Sequence, residues 1–85
     1  MLAEQLMRRL ERFQEGEFVE VDDTFMAWVT TGRITKIEKS MRFIDGKPVK
    51  GNQVLSMTIE CEGLREPLVI SKKNISQFVL KHQKA

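Results

Sequence analysis

Few side chains in this 85-residue sequence are able to do covalent chemistry. Nucleophilic catalysis needs a nucleophile, a base and an orienting group in mutual reach, and the chain offers a single cysteine, Cys61, and a single histidine, His82. Cys61 falls on the apolar side of an alternating run and His82 lies three residues from the end, so both read as structural or incidental. One cysteine with one histidine cannot complete a zinc site, and no glycine-rich phosphate loop is present. The acidic pair Asp22-Asp23 reads as a turn device. Neither a catalytic constellation nor a cofactor is expected. What stands out is cationic: Lys72-Lys73-Asn74 makes a sharp polar corner between the apolar runs Leu68-Val69-Ile70 and Phe78-Val79-Leu80. That corner is the first candidate binding site.

The two runs around it set a physical problem. Each is continuously apolar, as in strands covered on both faces, and a chain this short buries only roughly 60% of its unfolded surface. Cover from a second copy of the chain is the alternative, because an open apolar edge aggregates. Oligomerisation through the last two strands is therefore expected.

The elements that must position the corner follow from periodicity. Leu2, Leu6, Leu10 and Phe13, with Met7 beside them, mark one face of a helix over about residues 2–15, ended by Gly16 and supported by a Glu4–Arg8 pair. Arg8, Arg9 and Arg12 line its other face and read as solvated. Five strands are expected within residues 17–81. Phe18, Val19 and Val21 precede an Asp22-Asp23-Thr24 turn, and Phe25 to Ile44 reads as one long strand bent at Gly32, with Trp28 in the core. Asp45 to Asn52, with two glycines and a proline in eight residues, reads as a loop. Leu55, Met57, Ile59 and Cys61 then alternate inward, and Glu66-Pro67 opens the strand before the corner.

Composition agrees with a single small domain. Hydrophobic residues make up 41% and charged residues 31%, with no low-complexity tract, which excludes a disordered or fibrous chain. A lone cysteine excludes an intrachain disulfide framework. No stretch approaches the roughly 20 apolar residues of a membrane span, and the charged amphipathic N-terminal segment is unlike a signal sequence, so a cytoplasmic location without membrane partners is expected. The net charge of +2 is too small to demand an acidic partner, but 14 Lys and Arg residues supply enough cations for a local patch.

A helix followed by five short antiparallel strands suggests a small, strongly bent SH3-like barrel. The layout resembles the Sm/LSm family, which includes the bacterial Sm-like RNA chaperone. Gly32-Arg33-Ile34 looks like the family's strand-two bend, and Lys72-Lys73-Asn74-Ile75-Ser76 like its short basic corner between strands four and five. The Asp and Asn of the first Sm motif have Glu38 and Arg42, or Asp45 and Asn52, at roughly their spacings, and the eukaryotic Arg-Gly of the corner is missing. Ser76 to His82 also looks locally like a segment of the bacterial chaperone, but that register leaves no chain for a fifth strand.

The resemblance implies a fold of Sm-like type and a closed homo-oligomeric ring, strand five of one subunit pairing with strand four of the next. It also implies that single-stranded RNA, or DNA, is received at Lys47, Lys50 and Asn52 in the loop between strands two and three and at Lys72, Lys73 and Asn74 in the corner. Lysines neutralise phosphates, asparagines read base edges, and a ring multiplies each weak contact. Base stacking is the weak point, since there is no tyrosine and the lone tryptophan is expected inside. The alternatives are an SH3-like protein-interaction or structural module, which would need a cluster of exposed aromatics, and a symmetric oligomer that binds only proteins.

Overall fold

The computed structural model describes residues 2–83. After a short helix α1 (Ala3–Arg8) and a 3-10 turn (Arg9–Arg12), five strands follow: β1 (Phe18–Asp23), β2 (Trp28–Ile44), β3 (Lys47–Cys61), β4 (Leu68–Ser71) and β5 (Phe78–His82). They form one antiparallel sheet in the order β4-β3-β2-β1-β5. No ladder joins β4 to β5 among the described residues, so the sheet is open and these two strands are its edges. No helix among the described residues is long and apolar enough to cross a membrane.

The helix is shorter than its periodicity suggests. Its last turn tightens into a 3-10 turn and the chain becomes extended at Phe13 (φ −101°, ψ 152°), which buries that ring in the core. Leu2 stays outside. Gly16, with φ at +91°, turns the chain into the sheet instead of capping the helix, and its N–H donates to the Ile34 carbonyl at 2.7 Å. Beside it, the Glu15 carboxylate accepts the Ile37 N–H at 2.8 Å and so satisfies β2 where β1 no longer reaches.

The strands share one core with the helical segment, which packs mainly on β3. Met7, Leu10 and Phe13 meet Val19, Val21, Ile34, Ile37, Met57, Ile59, Ile70, Phe78 and Leu80 in one continuous core. Trp28, expected inside, is only half-buried, because β2 begins there at the margin of the sheet. At Gly32 the ladder keeps its register; the glycine is needed because a β-carbon would sit 2.6 Å from Ile59 Cγ2 and 2.7 Å from the Glu60 carbonyl oxygen.

The irregularities of the β2–β3 ladder come later. Thr35 is an extra residue on β2, Leu55 an extra residue on β3, and Ser40 faces the longer stretch Gly51–Gln53. The bulge at Leu55 reverses the expected alternation: Val54 turns inward and Leu55 outward, half exposed. The apolar runs that seemed to need cover on both faces bury Leu68 in part and Ile70, Phe78 and Leu80 well, but Val69 (50%) and Val79 (44%) stay exposed on the two edge strands.

The β1–β2 turn runs through Thr24–Ala27, and Asp23, expected in that turn, is the last residue of β1 and is buried. Its carboxylate accepts the N–H groups of Phe25 (3.0 Å) and Met26 (2.9 Å) and the side-chain amide of Gln77 (3.0 Å), tying the turn to the start of β5. Asp23→Ala removes three hydrogen bonds to a buried carboxylate. It is expected to cost about 2–3 kcal/mol, read as a lower urea midpoint with an unchanged slope.

Candidate nucleic-acid interface

Cations gather at one end of the sheet. β1 accompanies β2 only as far as Arg33, and β4 accompanies β3 only over Ser56–Ile59. Beyond Glu38 and Ser56, β2 and β3 therefore continue as a two-stranded arm with no sheet neighbour. The pairs Met41–Lys50, Arg42–Val49, Phe43–Pro48 and Ile44–Lys47 lead to a two-residue turn, Asp45-Gly46, both with positive φ (51° and 76°). That is the geometry whose twist suits a hairpin. From Lys39 to Ile44 the arm reaches about 17 Å, at roughly 3.3 Å per residue.

The expected loop over Asp45–Asn52 is thus a correction. Only two residues turn, and Lys47, Lys50 and Asn52 lie on β3. Proline is tolerated at position 48 because each strand of a free ribbon is an edge, leaving one side of the backbone without a ladder partner. All ten residues from Met41 to Lys50 are exposed. The arm carries Lys39, Arg42, Lys47 and Lys50 against the single carboxylate of Asp45, a net +3, and none of these cations is in an ion pair among the described residues. Phe43, 73% exposed near the tip, supplies an aromatic surface that a count of tyrosine and tryptophan alone passes over. The signal was there in Asp-Gly flanked by strand formers.

The corner lies at the same end. Ser71, the last residue of β4, pairs with Ser56 just where the arm leaves the sheet. Its three residues divide by role. The Asn74 side chain is consumed within the turn: its amide nitrogen donates to the Val69 carbonyl at 2.9 Å and its Oδ1 accepts the Ser71 N–H at 2.8 Å. Asn74 therefore holds the corner's shape, and its amide is not free to read a base edge. Lys72 Nζ reaches Glu4 Oε1 at 3.2 Å, which draws Glu4 away from the expected partner Arg8. Lys73 is exposed and in no ion pair among the described residues.

Between arm and corner lies a cleft of about 330 Å³. It brings Asn52 from the arm's base together with Lys72 from the corner, while Lys47 and Lys50 stand farther out. Its floor is apolar, formed by Met7 and Val54. Glu4, Arg8 and Glu11 form the helical wall, and Gln53 stands beside Asn52 opposite them. Arg8, read from the sequence as solvated, and Gln53, which the sequence did not single out, are thus candidate contacts, and the bulge that turns Val54 inward supplies the floor between them.

Burial pushes the Cys61 thiol above its ordinary pKa of 9.0, so the reactive thiolate is disfavoured. His82 stacks on Phe13, with ring centroids 4.3 Å apart, and its Nε2 lies 3.4 Å from Glu17 Oε2. No group of three or more metal-ligating side chains occurs among the described residues. No protein-family model, no curated protein and no solved structure matches the chain.

Two outcomes test these assignments. Asn74→Ala is expected to lower stability by about 1–3 kcal/mol, since two backbone groups lose their partner, and chemical denaturation measures it. Cys61 is expected to react slowly with a thiol reagent in native buffer and fast in denaturing urea. Because the folded thiol has the raised pKa, the stability linked to it is intact below about pH 9 and declines as the pH rises further.

Proposed function

We propose that the chain is a non-catalytic, homo-oligomeric, Sm-like nucleic-acid-binding protein whose ligand is single-stranded nucleic acid, RNA in the first place. The observation that carries this reading is the uncovered arm, which holds four cations with no ion pair among the described residues and an exposed phenylalanine, with Lys50 on the face of Phe43 and Arg42 and Lys47 on the opposite face. Single-strand binders combine a cationic track along the phosphates with aromatic faces on which bases stack. Here Arg42, Lys47 and Lys50 serve as the track and Phe43 as the stacking face, with Lys72 and Lys73 extending the charge toward the sheet.

Oligomerisation is supported by the edges. β4 has four residues and β5 five, both have a free side, and each exposes one valine. Antiparallel pairing of β5 with the β4 of a neighbouring copy would satisfy both edges, bury Val69 and Val79, and close the barrel between subunits. The preceding helix, the five antiparallel strands and the short basic turn between β4 and β5 support the Sm-like layout that the sequence resembles. A peptide-binding SH3-like module is less well supported, because the exposed Phe18, Phe25 and Phe43 are spread along the sheet and form no shared groove.

Size exclusion with light scattering, followed by RNA binding across a salt series, tests both parts. An oligomer is expected, with log affinity falling by about 0.7 per phosphate contacted for each unit of log salt. Lys47→Ala with Lys50→Ala should flatten that slope at unchanged oligomer size. Phe43→Ala should weaken binding about tenfold and leave the slope alone, as stacking is not ionic. A strict monomer overturns the ring, and salt-independent affinity overturns the phosphate contacts.

A further inference from the structure

We infer that the cleft between α1 and the base of the arm is a pocket for a single guanine base. This deepens the nucleic-acid reading and rests on it in part, since the arm supplies phosphate and stacking contacts but nothing that distinguishes one base from another. At about 330 Å³ the cleft is at the small end of ligand pockets, roughly 300–1,000 Å³. That size suits one base and is too small for a folded partner.

The lining is sorted by chemistry. Buried Met7 and Val54 make an apolar floor, and Leu55, turned outward by its bulge, stands at the rim to cover the flat side of a ring. The helical wall carries two carboxylates, Glu4 and Glu11, two turns apart, with Arg8 between them. The opposite wall carries the side-chain amides of Asn52 and Gln53, and Lys72 closes the end. Glu4 already holds Lys72, which keeps that ammonium at the cleft with donors to spare. Glu11, Arg8, Asn52 and Gln53 make no side-chain hydrogen bond or ion pair among the described residues.

A ligand for such a site must give hydrogen bonds to a carboxylate and accept them from cations or amides. Guanine does both with adjacent pairs of atoms: N1–H and the N2 amino group donate, while O6 and N7 accept. Glu11 matches the donor pair, and Arg8 or Lys72 with the amides matches the acceptor pair. Cytosine and adenine have one exocyclic amino donor each, and uracil has only its ring N–H. The same chemistry is presented by a free guanine nucleotide and by a guanine in RNA.

The full chain is titrated with GMP, AMP, CMP and UMP, followed by backbone amide NMR, and then with short single-stranded RNAs differing only in a central G or A. GMP is expected to bind about tenfold or more tightly than the others and to shift the resonances of Asn52, Gln53 and Leu55. Inosine monophosphate, which lacks the N2 amino group, and the 7-deaza analogue, which lacks N7, should each lose most of that advantage. Glu11→Gln alters an exposed residue and should abolish the guanine preference, bringing GMP to the affinity of the other nucleotides. Equal affinity for the four nucleotides, a preference for another base, shifts confined to the arm, or a guanine preference that survives Glu11→Gln overturns the pocket. If GMP binds selectively and RNA does not bind, the pocket stands and the RNA-binding reading falls. RNA binding indifferent to the central base leaves that reading intact and removes the pocket.

Discussion

The structure depends on one constraint: a single short helix must cover one face of a five-stranded sheet. Met7, Leu10 and Phe13 join the inner side chains of all five strands in one core, with the helical segment packed mainly on β3, and nothing in the described chain covers the other face. Burial therefore alternates where the strands lie over the core, and the outer halves of β2 and β3 stay in water. The outward valines of β4 and β5, the bare arm and the cleft beside the helix are consequences of the same shortage. In a chain of this length the hydrophobic effect can stabilise the sheet and little more.

How far the sequence disclosed this follows from where short-range patterns decide the outcome. The number of strands, the position of the basic corner and the helix before the first strand were legible, because each is written in periodicity and turn residues over a few positions. The helix's length was not. Phe13 continues the helical repeat, but the core takes its ring only if the backbone becomes extended there, a tertiary demand that overrides periodicity. Gly16 likewise looked like a cap and instead turns the chain toward Ile34.

The candidate site was legible in its cations and less so in its shape. Pro48 and Gly51 read as loop formers, but on a ribbon without neighbours both are compatible with strand, and the Asp45-Gly46 turn alone decides the hairpin. The bulge at Leu55, which separates Val54 from its expected outward place, depends on how β3 pairs with β2 over long range. No local pattern encodes that register. The same shift creates the cleft, so its wall residues could not be assembled from the sequence. Asn74 shows the converse: a residue type suited to reading bases is spent on two backbone groups of its own turn.

The link between β1 and β5 has a consequence for how the molecule comes to exist. Four of the five strands pair with a neighbour in sequence, and short loops make those hairpins quick to close. β5 alone returns to the first strand, with Asp23 opposite Phe78 and Thr24 bonded to the Gln77 carbonyl, so this ladder closes a loop spanning residues 24–77. During synthesis, β1 can zip to β2 early but keeps its other edge unpaired until the last of the five strands has left the ribosome. For that interval the nascent sheet offers a sticky strand edge to other chains. The Asp23–Gln77 hydrogen bond sits where that last ladder begins.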